Sequence, residues 1–252
     1  MEGHGERVRQ PRLAALVAAQ LRSDILSGRL RESDVIPKQE VLLREFGVSP
    51  AVGREALRIL ETEGLVSVRR GNRGGAVVHL PKADDVGYMA SLVLQLEGAD
   101  LSDLGTAMLE LESIAAGLCA SQRDRRKRIV PRLRDCLDRQ AEARGNQGAT
   151  IDAAARFHQT LVELCGNEAL ILVLDAMRAI WERQDQSTVA FAFEWTSPDA
   201  ASAQHEALID AVAAGDEDRA AAIAHEHGGN LSRAVADIAH DPILADNVRP
   251  NR

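Results

Sequence analysis

The sequence predicts a mostly α-helical chain in two parts: three helices and a β-hairpin over residues 1–82, then an antiparallel all-helical bundle of about six to seven helices over residues 83–252. Three observations predict it. Apolar residues recur at helical spacing in short, capped segments before residue 64. Strand-like alternation is confined to the stretch Leu65 to Leu80, around a glycine-rich tip. From Asp84 onward, Ala- and Leu-rich helical patterning runs almost without a break.

The elements follow in order. Leu13, Leu16, Val17, Leu21, Ile25 and Leu26 form one stripe, which Gly28 ends, so a first helix precedes the rest. Pro37 suits the first turn of a second helix, Val41, Leu42 and Leu43 follow, and Phe46-Gly47-Val48 closes it with glycine at the turn. Ser49 then caps a third helix, with Pro50 in its first turn and Ala56, Leu57 and Leu60 on its buried face. Leu65 to Val68 and Ala76 to Leu80 read as two strands joined by the tip Arg69 to Gly75. This is the outline of a winged helix-turn-helix, and Pro81-Lys82 ends it. Helices are then expected near 84–96, 101–121, 124–144, 151–165, 168–189, 198–214 and 217–239, with a loop at Gly145 to Gly148.

Charge divides the chain as the elements do. Residues 1–82 hold 14 Lys and Arg against 10 Asp and Glu, net +4, whereas residues 83–252 hold 16 against 28, net -12. A mildly basic module suits an approach to phosphates, and an acidic one has no such need. Arg54 and Arg58 lie one turn apart on the third helix, and Arg69, Arg70 and Arg73 crowd the hairpin tip. With Lys38, Arg44, Ser49 and Asn72 they make the candidate DNA-facing set. There is no run of 18 apolar residues and no apolar secretion signal, so a cytoplasmic protein with no membrane partner is expected. Cys119, Cys136 and Cys165 are odd in number and widely spaced, which suggests buried free thiols. No nucleophile elbow, phosphate-binding loop or dinucleotide fingerprint occurs, so no enzyme is expected.

The pattern EFGVS…REALRILETEGLV followed by a glycine-rich wing resembles the GntR family of bacterial transcription regulators. FHQTLVELCGNEAL (157–170), HEALIDAVAAGD (205–216) and a histidine eleven residues after Asp216 resemble the FadR-type ligand-binding domain called FCD. The resemblance implies a homodimeric regulator of a nearby metabolic operon, a repressor or, less often, an activator, that binds a palindromic double-stranded operator and answers to a small-molecule effector. Two positions depart from the family's reader. Pro50 and Gly53 stand where it usually has arginine and valine, so base preference should differ.

In the resembling domain a metal is often held by an aspartate and three histidines. The histidines match His158, His205 and His227, a set suited to Zn or Ni. The aspartate falls on Ala154, which weakens such a site; Asp152, six residues before His158, lies about 240° round the helix and cannot replace it. His225, two positions from His227, should face outward. The effector set implied by the resemblance is Met108, Glu112 and the three histidines, with Met108 in place of an arginine that clamps carboxylates. An organic acid with more apolar bulk, such as an acyl-CoA or lipid-derived acid, would suit that change. The alternatives to a regulator are a metal-dependent enzyme, since three histidines with an open position can activate water, and a helical metal- or lipid-binding protein.

Overall fold

The computed structural model describes residues 6–36, 46–69, 75–184, 198–236 and 242–248. It divides into two compact units, Met1–Lys82 and Ala83–Asn251.

In the first unit, helix α1 (Glu6–Leu26) buries Ala14, Val17, Ala18, Leu21 and Ile25 against helix α2 (Pro50–Thr62). Gly28 follows at φ 76°, a left-handed conformation that stops α1 where the stripe ends. The expected helix from Pro37 lies outside the described residues except at its close, where Gly47 has φ 61°. The Ser49 hydroxyl accepts from the Val52 N–H at 3.4 Å, and Pro50 occupies the first turn. Val52, Ala56, Leu57 and Leu60 face the core, and Gly53 is buried with them.

The wing has one strand more than the sequence suggested. Strands β1 (Val35–Ile36), β2 (Val66–Arg69) and β3 (Gly75–Val78) form an antiparallel sheet in the order β1-β3-β2. Val35 pairs with Val77, and Ser67 also pairs with Val77 from the other side, so β3 is central. Two residues are too few for any periodicity, which is why β1 cannot be read in advance. β3 stops at Val78, short of the expected Leu80, because the Leu80 N–H turns to the Glu32 carboxylate at 2.5 Å.

The second unit is a helical bundle: α3 (Ala83–Glu97), α4 (Leu101–Ser121), α5 (Arg125–Arg128), α6 (Val130–Glu142), α7 (Gln147–Glu163), α8 (Glu168–Glu182), α9 (Pro198–Ala214), α10 (Glu217–Ala236) and α11 (Ala245–Val248). Its main core joins α4, α6, α7, α9 and α10 through Phe157, Leu161, Ile209 and Val212, with Cys119, Cys136 and Cys165 among them as buried free thiols. Burial pushes the Cys119 thiol up to about 12, so it is inert as a nucleophile. A second cluster, Leu101, Leu104, Ile180, Ile243 and Val248, lies under α3 and α11.

Three expectations change here. The single helix over 124–144 is two, α5 and α6, since Pro131 in the first turn of α6 has no N–H to continue the ladder from α5. The loop at Gly145 to Gly148 is shorter, because the Asn146 side chain accepts from the Ala149 N–H and starts α7 at Gln147. The four-residue α11 was not foreseen; the Gln184 side chain holds it by pairing with both the N–H and the carbonyl of Leu244. The expected continuations of α8 to 189 and α10 to 239 fall outside the described residues. Among the described residues no helix is long and apolar enough to cross a membrane.

Candidate functional site

The candidate DNA-facing residues are only partly within the described chain. Arg54 and Arg58 are exposed on the outer face of α2, opposite Val52, Ala56 and Leu60. Arg58 approaches Glu55 one turn earlier at 3.6 Å, an exposed pairing worth little against a phosphate. Ser49 caps the helix, so its hydroxyl is engaged with the backbone of α2. The backbone of Arg69 closes β2; Lys38, Arg44, Arg70, Asn72 and Arg73 lie outside the described residues.

In the helical unit the three histidines meet. His158 on α7, His205 on α9 and His227 on α10 place ligand nitrogens within 4.8 Å of one another. The Nε2 atoms of His205 and His227 are 3.2 Å apart, and those of His227 and His158 are 3.3 Å apart. Ligands about 2.1 Å from a tetrahedral zinc ion stand about 3.4 Å apart, so the spacing fits one shared divalent ion.

What surrounds the rings fits it further. His205 Nδ1–H donates to Gln140 Oε1 at 2.9 Å, and His227 Nδ1–H donates to Gln204 Oε1 at 2.8 Å. His158 Nδ1–H donates to the Glu112 carboxylate. Each Nδ1 therefore carries the proton, and each neutral ring turns its Nε2 lone pair toward the common centre. Oxygen partners behind the rings orient metal-binding histidines in this way. Phe157 stacks on His205 with centroids 3.9 Å apart and fixes the plane of that ring.

Electrostatics separates the three rings. Burial opposes a charge on His158, but the Glu112 carboxylate outweighs it and holds the imidazole above its ordinary range. Burial likewise opposes the Glu112 charge, yet His158 and His227 keep that carboxyl below its usual value. His227 is pushed down to about 4, first by burial and then by the charge on His158. His205, almost wholly buried, is lowered further by burial and by both neighbours. Of the three rings His158 is therefore the one that most readily takes up a second proton, at an Nε2 that stands 3.3 Å from the Nε2 of His227.

Sequence reasoning missed Gln140 and Gln204. Their one signal was Gln140 on the apolar face of α6, between Cys136 and the α9 helix, where a buried amide requires a partner. Ala154 is buried one turn before His158 and offers no ligand atom, while Asp152 is exposed. His225 is exposed and faces Glu110 at 3.5 Å. Met108, one turn before Glu112 on α4, is half-buried between the two apolar clusters.

Comparisons with known proteins agree with this architecture. Residues 13–78 match the model of bacterial regulatory proteins of the gntR family, and residues 103–230 match that of the FCD domain. The Uxu operon regulator of Haemophilus influenzae is 31% identical over 156 residues, which span 60% of this chain and 54% of that protein. The HTH-type transcriptional regulator LutR of Bacillus subtilis is 29% identical over 225 residues, covering 84% of this chain and 96% of LutR. The HTH-type transcriptional repressor NanR of Escherichia coli is 25% identical over 225 residues, 88% of this chain and 83% of NanR. Among solved structures, a Streptococcus agalactiae GntR protein superposes with a TM-score of 0.64 at 20% identity, over 87% of this chain and 99% of that one, a likeness of fold.

Proposed function

Since this chain belongs to the gntR family of bacterial regulatory proteins and carries an FCD domain, a family of transcription regulators, we propose that it is a homodimeric repressor of a nearby metabolic operon, released from a palindromic operator by an organic acid. The observation that carries the ligand-responsive half of this reading is the convergence of three Nε2 atoms inside the helical unit, each held by an oxygen behind it.

Arg54 and Arg58 on the exposed face of α2 are the groups we assign to DNA, together with the basic wing tip Arg69, Arg70 and Arg73 and with Lys38, Arg44 and Asn72. Ser49 shapes the helix start that presents them. His158, His205 and His227 would hold a Zn or Ni ion, which when bound supplies a Lewis-acidic centre with open positions for an effector carboxylate. Glu112, Gln140 and Gln204 hold the imidazole protons at Nδ1, so the three lone pairs stay aimed at the centre. Met108, packed against apolar side chains one turn from Glu112, supports an effector with an apolar portion beside its carboxylate, as in an acyl-CoA or lipid-derived acid.

Fluorescence anisotropy with the DNA upstream of its own gene tests the proposal. Binding should fall steeply as salt rises, and Arg54→Ala should weaken it by about 1–3 kcal/mol at particular bases. Adding metal together with candidate carboxylates should then shift the DNA affinity. Failure to bind any segment of that DNA would refute the regulator's proposed operator, and a Met108→Arg variant with an unchanged ligand preference would refute the assigned effector pocket.

A further inference from the structure

Residues 242–248 cross the helical unit as a short strap that ends in α11, and side chains hold most of its backbone. The Gln184 amide, almost wholly buried, accepts from the Leu244 N–H at 3.2 Å and donates to the Leu244 carbonyl at 3.4 Å. Gln95 accepts from the Ala245 N–H at 3.0 Å, Arg183 donates to the Val248 carbonyl at 3.4 Å, and the Ile243 N–H reaches the Ala99 carbonyl at 3.4 Å. Ile243, Ala245 and Val248 turn inward and are buried, whereas Leu244, Asp246 and Asn247 are exposed. A groove grips a bound peptide in the same way, with polar groups on the main chain and pockets for selected side chains.

The seat of the strap is apolar and leads toward the histidines. Ile243 and Val248 supply two of the five buried residues of the cluster that also holds Leu101, Leu104 and Ile180. Without them these three would line a hollow of the kind that takes apolar ligands in preference to water. Met108 packs against this cluster and also against the main core, where Phe157 stacks on His205. Leu104, Met108 and Glu112 stand four apart on one face of α4, about 12 Å from first to last at the helical rise. The walls of the seat are fixed: at Gly87 α3 lies so close to α8 that an added Cβ would stand 2.7 Å from the Ala176 carbonyl oxygen. The strap is the part that can leave, and the single turn of α11 has no stability apart from its seat.

We infer that residues 242–248 fill an apolar subsite at the far end of the effector pocket. A ligand whose carboxylate lies at the histidine centre seats a long hydrocarbon tail there by displacing Ile243 and Val248. The inference rests on the effector class proposed above and adds a length threshold to it. Short acids bind with the strap in place, and long ones must release it.

Hydrogen exchange on the full chain with zinc, with butanoate or dodecanoate as the probe, reads the strap directly. Dodecanoate should speed exchange of the Ile243, Leu244 and Ala245 amides about tenfold, and butanoate should leave them as they are. Ile243→Ala with Val248→Ala should raise the ratio of dodecanoate to butanoate affinity about tenfold in calorimetry, since the tail no longer has a plug to displace. Gln184→Met, which loosens the strap and keeps its buried side chains, should move the ratio in the same direction. Strap amides that dodecanoate protects or leaves unchanged, or a ratio that stays constant or falls in both variants, would overturn the inference. If butanoate still binds in that case, the effector reading stands without the subsite. If the parent binds neither acid, the effector reading falls and the subsite with it.

Discussion

His158, His205 and His227 differ in proton affinity although they share one centre, and two measurements follow from that difference. Between the ordinary histidine value of 6.5 and about 4, the unfolded chain protonates His205 and His227 while the folded chain keeps them neutral. The unfolded state then binds more protons, so the metal-stripped protein should lose stability as pH falls through that window, read as a falling Tm. Glu112, whose carboxyl is held low, adds to the loss in the acid range; His158, raised, is charged in both states there and adds no slope. Metal binding should in turn release about one proton, from His158, at pH values below its raised midpoint; calorimetry in buffers of different ionisation enthalpy reads this directly. Glu112→Gln should weaken the metal about 10- to 100-fold, the usual effect of removing an oxygen behind a ligand ring, as measured by chelator competition. The three histidines were legible in the sequence through the family they resemble. Gln140 and Gln204 were not, because a hydrogen bond across 65 or 23 residues leaves no local pattern.

At the scale of the element, helix ends were readable wherever one residue type has one mechanical use. Ser49 and Pro50 start α2 and Gly28 ends α1, as their chemistry demands. What could not be read was the outcome of contests: Pro131 splitting α5 from α6, Asn146 pulling α7 forward over Gly148, and two residues of β1 recruited by a neighbour. The close contact of α3 with α8 makes a quantitative case. Gly87→Ala gains about 1 kcal/mol of helix propensity, yet places its methyl against a backbone oxygen that cannot rotate away. Overpacking of this kind costs about 1–3 kcal/mol, so a net lowering of Tm is expected in thermal melts. Ser49→Ala should destabilise the first unit by about 1 kcal/mol through the lost cap, without touching the helical bundle.

For the whole molecule, the division into units with separate cores predicts separable responses. A calorimetric scan with Zn at about 100 times its dissociation constant should raise the stability of the helical unit alone by about 2.7 kcal/mol, leaving any transition of the winged unit where it was. Charge and periodicity change together near Lys82, where the first compact unit gives way to the second. The histidine centre has one more consequence at this scale. His158 and His227 are 69 residues apart in the chain and His205 and His227 are 22 apart, yet all three would share one ion. An ion held there ties off two long loops at once, as a pair of disulfides would, and it does so in a chain whose three thiols are buried and free. The metal would then act as a reversible cross-link, and chelation would return entropy to the chain as well as emptying a site.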